Sequence, residues 1–225
     1  MASKIKKNLK ANPNSRKPYT TIYLIRHCQP DYSEEKKFGD IGMPLSKTGR
    51  LQRRLLTKKL MDLEIDKVYV SELKRAQETA ELFLKRANKK MFVDKRLDEI
   101  DWQEWCRIGY FNMSEKKRQE SVPNLKEMDG KLNDMQTKAR HLIFDIFDHN
   151  RGKKIALFTH GNFIKATVTS ILNADVIGFL CLEAYQASIT KIVIDKEGFI
   201  KINYINNASH LPNHPNEDLF LALVD

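Results

Sequence analysis

Thr21-Ile22-Tyr23-Leu24-Ile25 is an apolar run that ends abruptly in Arg26-His27. Lys154-Ile155-Ala156-Leu157-Phe158 ends in a similar way, in Thr159-His160-Gly161. A buried strand gains nothing by finishing on groups that want protons and water, so these two ends point to a site. A histidine there can carry a proton or act as a nucleophile near neutral pH. An arginine offers a planar, permanently charged fork that fits an oxyanion. A third apolar stretch, Lys67-Val68-Tyr69-Val70, leads into Ser71-Glu72-Leu73-Lys74-Arg75. Arg75 falls at a helix start, where free backbone N–H groups already favour an anion. Its plainer reading is half of a solvated Lys-Arg pair. Downstream, Arg96-Leu97-Asp98-Glu99-Ile100-Asp101 supplies carboxylates. Glu99 is either a surface acid or the proton donor such a site needs, with Asp98 and Asp101 as fallback donors. One strand-end histidine alone is more often structural. Two of them, with an arginine beside one, read as a site.

The elements that must position these residues follow from periodicity. Strands are expected at residues 21–27, 66–73, 90–97 and 153–160. A helix begins near Ser46, a candidate N-cap, with Leu51, Leu55, Leu56 and Leu60 as its apolar positions. A second amphipathic helix covers residues 74–88. A long charged helix covers 124–149, with Leu132, Met135, Ala139, Leu142, Ile143 and Ile146 on one face. Another helix follows Gly161. Residues 188–195 and 199–206 read as a hairpin around Lys196-Glu197-Gly198. Strands alternating with helices predict an α/β three-layer sandwich, a mostly parallel central sheet with helices on both faces. In such sheets ligands bind beyond the carboxyl ends of the strands, so His27 and His160 can share one crevice.

Bulk properties bound the alternatives. The chain has 225 residues and a net charge of +10. Residues 1–20 contribute +6 of that charge and contain no acid, leaving a mildly basic body of +4. Residues 1–19 read as a flexible basic tail, and residues 20–225 as a single domain with an insertion around 103–123. Zinc-finger spacing and Gly-aromatic RNA-binding strands are missing, so nucleic acid is not the expected partner. No window is apolar enough for a membrane span, and the N-terminus has no h-region of a secretory signal. Cys28, Cys106 and Cys181 are odd in number and far apart, which fits a reducing cytoplasm rather than a disulfide framework.

The ordered motifs resemble the histidine phosphatase superfamily, in its phosphoglycerate-mutase-like branch. Leu24-Ile25-Arg26-His27-Cys28-Gln29 matches the Arg-His-Gly motif. Pro44 to Gln52 looks like the Leu-Thr-x-x-Gly-x-x-Gln segment that follows it. Residues 71–80, SELKRAQETA, are very close to Ser-x-Leu-x-Arg-Ala-x-x-Thr-Ala. Residues 97–105 resemble the segment that carries the family's proton donor. ALFTHGNFIKA matches the strand ending in the second His-Gly, and NNASHL the closing Asn-x-x-x-His-Leu pattern. The resemblance implies a phosphomonoester hydrolase working through a phosphohistidine on His27. Arg26, Arg75 and His160 would bind the phosphoryl oxygens, and His160 would also stabilise the transition state. Glu99 would protonate the leaving alcohol and then activate water. No metal or other cofactor is needed, because the two arginines and His160 supply the positive charge.

The sequence departs from that pattern in places. Cys28 stands where Gly is usual, and Ser33 where many members carry a phosphate-reaching Asn. Gln103 replaces a Gly, and Cys106-Arg107 replaces a Glu-Gly pair. Cys28 carries two readings: a thiol activated by the arginines, or a buried inert substitute for Gly. A cysteine phosphatase loop is rejected, since no Arg follows Cys28 closely, and no P-loop glycine pattern exists. The alternatives are a mutase, with Lys36, Lys37 and Arg107 as extra anion-binding groups, or a catalytically weak phospho-ligand-binding protein. The expected partner is a phosphorylated small molecule, with a phosphoprotein as the alternative.

Overall fold

Strand alternation decides which helices cover which face of the sheet. The computed structural model describes residues 19–100, 114, 116 and 125–212. Its elements are β1 (Thr20–Arg26), α1 (Glu35–Gly42), α2 (Lys47–Met61), β2 (Lys67–Val70), α3 (Lys74–Ala87) and β3 (Met91–Val93). They continue with α4 (Leu125–His149), β4 (Lys154–Thr159), α5 (Gly161–Leu172), α6 (Val176–Cys181), β5 (Ile189–Ile194) and β6 (Ile200–Asn207). Ile22 and Leu24 of β1, with Ile155 and Leu157 of β4, pack under α4 and α5. The intervening Tyr23, Ile25, Ala156 and Phe158 face the other way, onto α2 and α3. Successive side chains on a strand point to opposite faces, so two apolar strands need two helical layers. Each fully buried Ile, Leu or Phe contributes roughly 1.5–3 kcal/mol.

The sheet order is β3-β2-β4-β1-β5-β6. Strands β3, β2, β4 and β1 run parallel; β5 pairs antiparallel with β1, and β6 antiparallel with β5. The expected three-layer α/β architecture is present, with the antiparallel component confined to the C-terminal hairpin. Gly198, at φ +89°, makes that hairpin's turn, where a side chain would be strained.

Ser46 caps α2 as expected, its hydroxyl accepting from the Gly49 N–H at 3.0 Å. Leu56 and Leu60 are buried, but Leu51 is exposed, contrary to the expected stripe. Gly49 explains the rotation. A Cβ there would stand 2.0 Å from the Gln29 carbonyl oxygen, so this helix face must point inward. Leu51, about 200° further round the helix, then faces solvent.

Two other details differ from the sequence expectation. The strand expected over 90–97 is only Met91–Val93. There the Asp94 side chain accepts from the Arg96 N–H and turns the chain into a 3-10 turn at Lys95–Leu97. Helices α1 and α6 were not anticipated. Helix α1 buries no residue, so it leaves no apolar stripe in the sequence, and Gly39 at φ +66° breaks its regularity. Residues 1–18 of the tail and almost all of the 103–123 insertion, including Gln103, Cys106 and Arg107, lie outside the described residues, as does Asp101.

Gly49→Ala should destabilise the protein by about 1–3 kcal/mol through overpacking. Gly130→Ala, on an exposed and open position of α4, should instead stabilise it by up to about 1 kcal/mol through helix propensity. Urea unfolding of both variants reads the opposite signs.

Candidate active site

The register of β1 against β4 builds the site. Arg26 pairs with Thr159, and the His27 N–H continues the ladder to the Thr159 carbonyl at 3.0 Å. His27 and His160 therefore leave adjacent strands side by side, with ring centroids 5.0 Å apart. Both are buried.

His27 is oriented by its own backbone neighbour. Its Nδ1 lies 2.8 Å from the Cys28 carbonyl oxygen. A carbonyl can only accept, so Nδ1 carries the proton and Nε2 keeps its lone pair. Burial, reinforced by the charges of Arg26 and Arg75, holds the imidazole well below its ordinary pKa despite that hydrogen bond. His160 is likewise held well below the usual value by burial, with His27, Arg75 and Arg26 adding to the effect. Both rings are thus neutral in the free site.

The loop after His27 is tied down by the residues of the Ser-x-x-Gly-x-x-Gln segment. The Gln29 N–H donates to Gln52 Oε1, and the Ser46 hydroxyl donates to Gln29 Oε1. Cys28 donates its N–H to Thr79 Oγ1, and Thr79 in turn donates to the Arg75 carbonyl. The Cys28 side chain points into the α2/α3 core, and burial pushes its thiol up to about 12. The inert reading of Cys28 is the one this environment supports. Ser33 is exposed and, among the described residues, its side chain bonds Asp31.

Arg26 lies against Gly161. A Cβ at that glycine would approach the guanidinium to 3.3 Å, which gives the Gly after His160 its purpose. Arg26 Nη1 donates to the Ala184 carbonyl, while Nε is buried without a partner among the described residues. The loop that carries Ala184 is held in turn by the closing motif. Asn206 Oδ1 accepts from the Tyr185 N–H, and the Ala187 N–H donates to the His27 carbonyl.

Glu99 reaches the site through the start of α5. Its Oε1 accepts from the N–H groups of Ile100 and Asn162, at 3.2 and 3.1 Å. Thr159 and Asn162 hold its flanks, donating to the carbonyls of Leu97 and Ile100. Burial raises the Glu99 pKa above the ordinary carboxylate value, against the opposing pull of Arg26, Arg75 and the two N–H groups. Asp98 points elsewhere, accepting from the Ser71 hydroxyl and the Glu72 N–H. It is not placed as a fallback donor beside Glu99.

Nitrogen atoms of His27 and His160 and a carboxylate oxygen of Glu99 all lie within 4.8 Å of one another. Two histidines and a glutamate form a metal-type donor set. Arg26 and Arg75 bring positive charge to the same space, so an anion is the better electrostatic match.

Arg75 already holds an anion of the protein's own. Its Nη1 donates to the Asp40 backbone carbonyl at 2.7 Å and lies 3.0 Å from Asp40 Oδ1. Arg75 is buried, whereas the Asp40 side chain is 59% exposed on α1. Sequence reasoning missed this pair, because α1 itself left no signal. Lys36 and Lys37 lie on the same exposed helix, Lys37 within 3.6 Å of the Glu34 carboxylate.

Residues 22–207 match the model of the histidine phosphatase superfamily (branch 1). The chain belongs to that superfamily. It is 29% identical over 162 residues to phosphoglycerate mutase-like protein 4 of Arabidopsis thaliana, covering 66% of this chain and 69% of that one. It is 22% identical over 198 residues to phosphoserine phosphatase 1 of Hydrogenobacter thermophilus, covering 84% and 93%. Among solved structures, the fold matches phosphoserine phosphatase from Entamoeba histolytica in complex with 3-phosphoglyceric acid. That match has a TM-score of 0.66 at 20% identity and covers 85% of this chain and 99% of that one. Among the described residues, no helix is long and apolar enough to cross a membrane.

Asp40 competes with any incoming anion for Arg75. Asp40→Asn should therefore tighten the binding of inorganic phosphate, by up to about fivefold for a partly exposed ion pair. Isothermal titration with phosphate checks this. Weaker binding in the variant would show that Asp40 positions Arg75 instead.

Proposed function

We propose that this protein is a phosphomonoester hydrolase that works through a phosphohistidine on His27, with no metal cofactor. The observation that carries the reading is the state of His27. Its Nδ1–H is committed to the Cys28 carbonyl, leaving Nε2 as a free, unprotonated nucleophile beside the two arginines.

The steps follow from the residues present. Arg26 and Arg75 grip the phosphoryl oxygens, Arg75 exchanging Asp40 for the substrate. His27 Nε2 attacks phosphorus, and the bond to the ester oxygen breaks. Glu99, whose pKa burial raises above the ordinary carboxylate value, gives its proton to the leaving alkoxide. The resulting carboxylate then takes a proton from water, which attacks the phosphohistidine and releases inorganic phosphate. His160 faces the same oxygens. The charge that stabilises this transfer comes from guanidinium and imidazole groups.

The substrate reading is a phosphorylated small molecule. Relatives named phosphoserine phosphatase support it, as does the clustering of His27, His160 and Glu99 donor atoms within 4.8 Å, a span suited to one phosphoryl unit. A mutase also needs cations to hold its intermediate. Lys36 and Lys37 stand on an exposed helix whose Asp40 carboxylate already occupies Arg75, which favours release and hydrolysis. Residues 20–225 are read as one catalytic domain, and the free thiols of Cys28 and Cys181 support a cytoplasmic setting.

Glu99→Gln should slow kcat for an alkyl phosphate by about 10²–10⁴-fold. The loss should be much smaller for nitrophenyl phosphate, whose leaving group needs no proton. The acid limb of the wild-type profile belongs to His27 and should lie below pH 6.5. Glu99 losing its proton, above the ordinary carboxylate value, contributes to the basic limb for the alkyl ester; in Glu99→Gln that contribution should be lost, leaving the limb set by the ester's own second ionisation. Rates measured with a chelator present should be unchanged, and a requirement for an added divalent ion would contradict the reading.

A further inference from the structure

His160 has a supporting chain that the proposed reaction steps do not use. His160 Nε2 lies 2.8 Å from Ser71 Oγ, and Ser71 Oγ lies 2.6 Å from Asp98 Oδ1. Ser71 is fully buried. The Leu73 N–H donates to Ser71 Oγ at 3.1 Å, and the Glu72 N–H donates to Asp98 Oδ1 at 2.9 Å.

Counting protons fixes the direction of the chain. Asp98 is a carboxylate that only accepts, so the single Ser71 hydroxyl proton goes to it. Ser71 Oγ must then accept from both Leu73 and His160. The His160 proton is therefore on Nε2, and Nδ1 presents a bare lone pair. Nδ1 is buried and has no partner among the described residues. A phosphoryl oxygen offers only lone pairs, so His160 cannot donate to it from this state.

We propose that Asp98 and Ser71 are positioning residues that let His160 take up a second proton when a phosphoryl group enters, turning it from a neutral ring into a charged donor. The inference rests on the phosphatase reading above. The proton arrives with the substrate. A phosphate monoester has a second pKa of about 6 and enters partly as the monoanion. Its P–OH proton passes to Nδ1, leaving a dianionic phosphoryl group hydrogen-bonded to an imidazolium. Several charged groups surround that imidazolium. Arg26 and Arg75 oppose it, and so would any charge on His27. Glu99 is the proton donor of the proposed steps, so in that role it carries its proton at this stage and lends little charge. Asp98 is then the fixed negative charge connected to it, one hydroxyl away. A carboxylate and hydroxyl behind an imidazole hold its tautomer and compensate its charge, as in other relayed histidines.

Sequence reasoning placed Ser71 within a motif and Asp98 as a spare acid. It had no means of seeing that the β2 and β3 ends bring both behind His160.

Asp98→Asn separates charge from geometry. The Asn carbonyl still accepts from Ser71 and Glu72, but the negative charge is gone. In the full chain, kcat for nitrophenyl phosphate should fall about tenfold, the equivalent of one lost pKa unit, with melting temperature unchanged. Ser71→Ala should lose at least as much. Nitrogen-15 histidine NMR gives a readout that does not need turnover. In wild type, inorganic phosphate should convert His160 from the Nε2–H tautomer to the doubly protonated ring, and in Asp98→Asn it should not. Wild-type kcat in a stably folded Asp98→Asn, or the same phosphate-induced protonation in both proteins, would overturn the relay. His27→Ala is run alongside to keep the two readings apart. If it retains turnover, the phosphatase reading itself fails. If it is dead while Asp98→Asn is normal, only the relay fails.

Discussion

The pairing of β1 with β4 is the constraint on which the rest depends. Two parallel strands in register place Arg26 opposite Thr159, and the next residue on each strand is a histidine. Neither ring could be held 5.0 Å from the other by a flexible loop without large loss of precision. The ladder continues one hydrogen bond past the strand, from His27 N–H to the Thr159 carbonyl, and so extends sheet rigidity to the proposed nucleophile. Every other support converges on this point. Gly161 makes room for Arg26, the Gln29–Gln52–Ser46 bonds fix the loop after His27, and the C-terminal hairpin supplies the wall behind both.

Charge in the site is arranged so that the free protein does not waste it. Two buried histidines beside two guanidinium groups are best kept neutral, and burial does this. Arg75 would be costly to leave unpaired, and Asp40 covers it from the solvent side. Desolvation raises the Glu99 pKa above the ordinary carboxylate value, against the nearby positive charge and the N–H groups at the start of α5. In the proposed reaction an incoming phosphoryl group would satisfy these groups together: it would displace Asp40, accept from the arginines and meet an imidazole nitrogen that is already unprotonated.

Much of this was legible in the sequence because it lies in local patterns. The polar ends of apolar runs marked His27 and His160, and the 3.6-residue spacing marked the buried face of α4. The long-range part was not legible. Leu51 reads as a core residue until Gly49, held against Gln29, fixes the rotation of α2. Helix α1 buries nothing, so no stripe announced it or the Asp40–Arg75 pair. Alternation along an extended segment sends the Asp98 and Glu99 carboxyls apart, as the sequence implies, but the partners they reach were not readable. Those partners come from β2 and α5, far apart in the chain. Cys28 could be read either way until its side chain was seen within the core between the sheet and α2/α3.

The central claim is that phosphorus becomes bonded to His27. The direct measurement is rapid-quench trapping with a phosphate monoester carrying ³²P, followed by peptide mapping under alkaline conditions, where phosphohistidine survives. The account predicts transient label on the peptide containing His27, formed with a chelator present and absent in His27→Ala. Label on Cys28, or full turnover with no labelled histidine at any quench time, would contradict it.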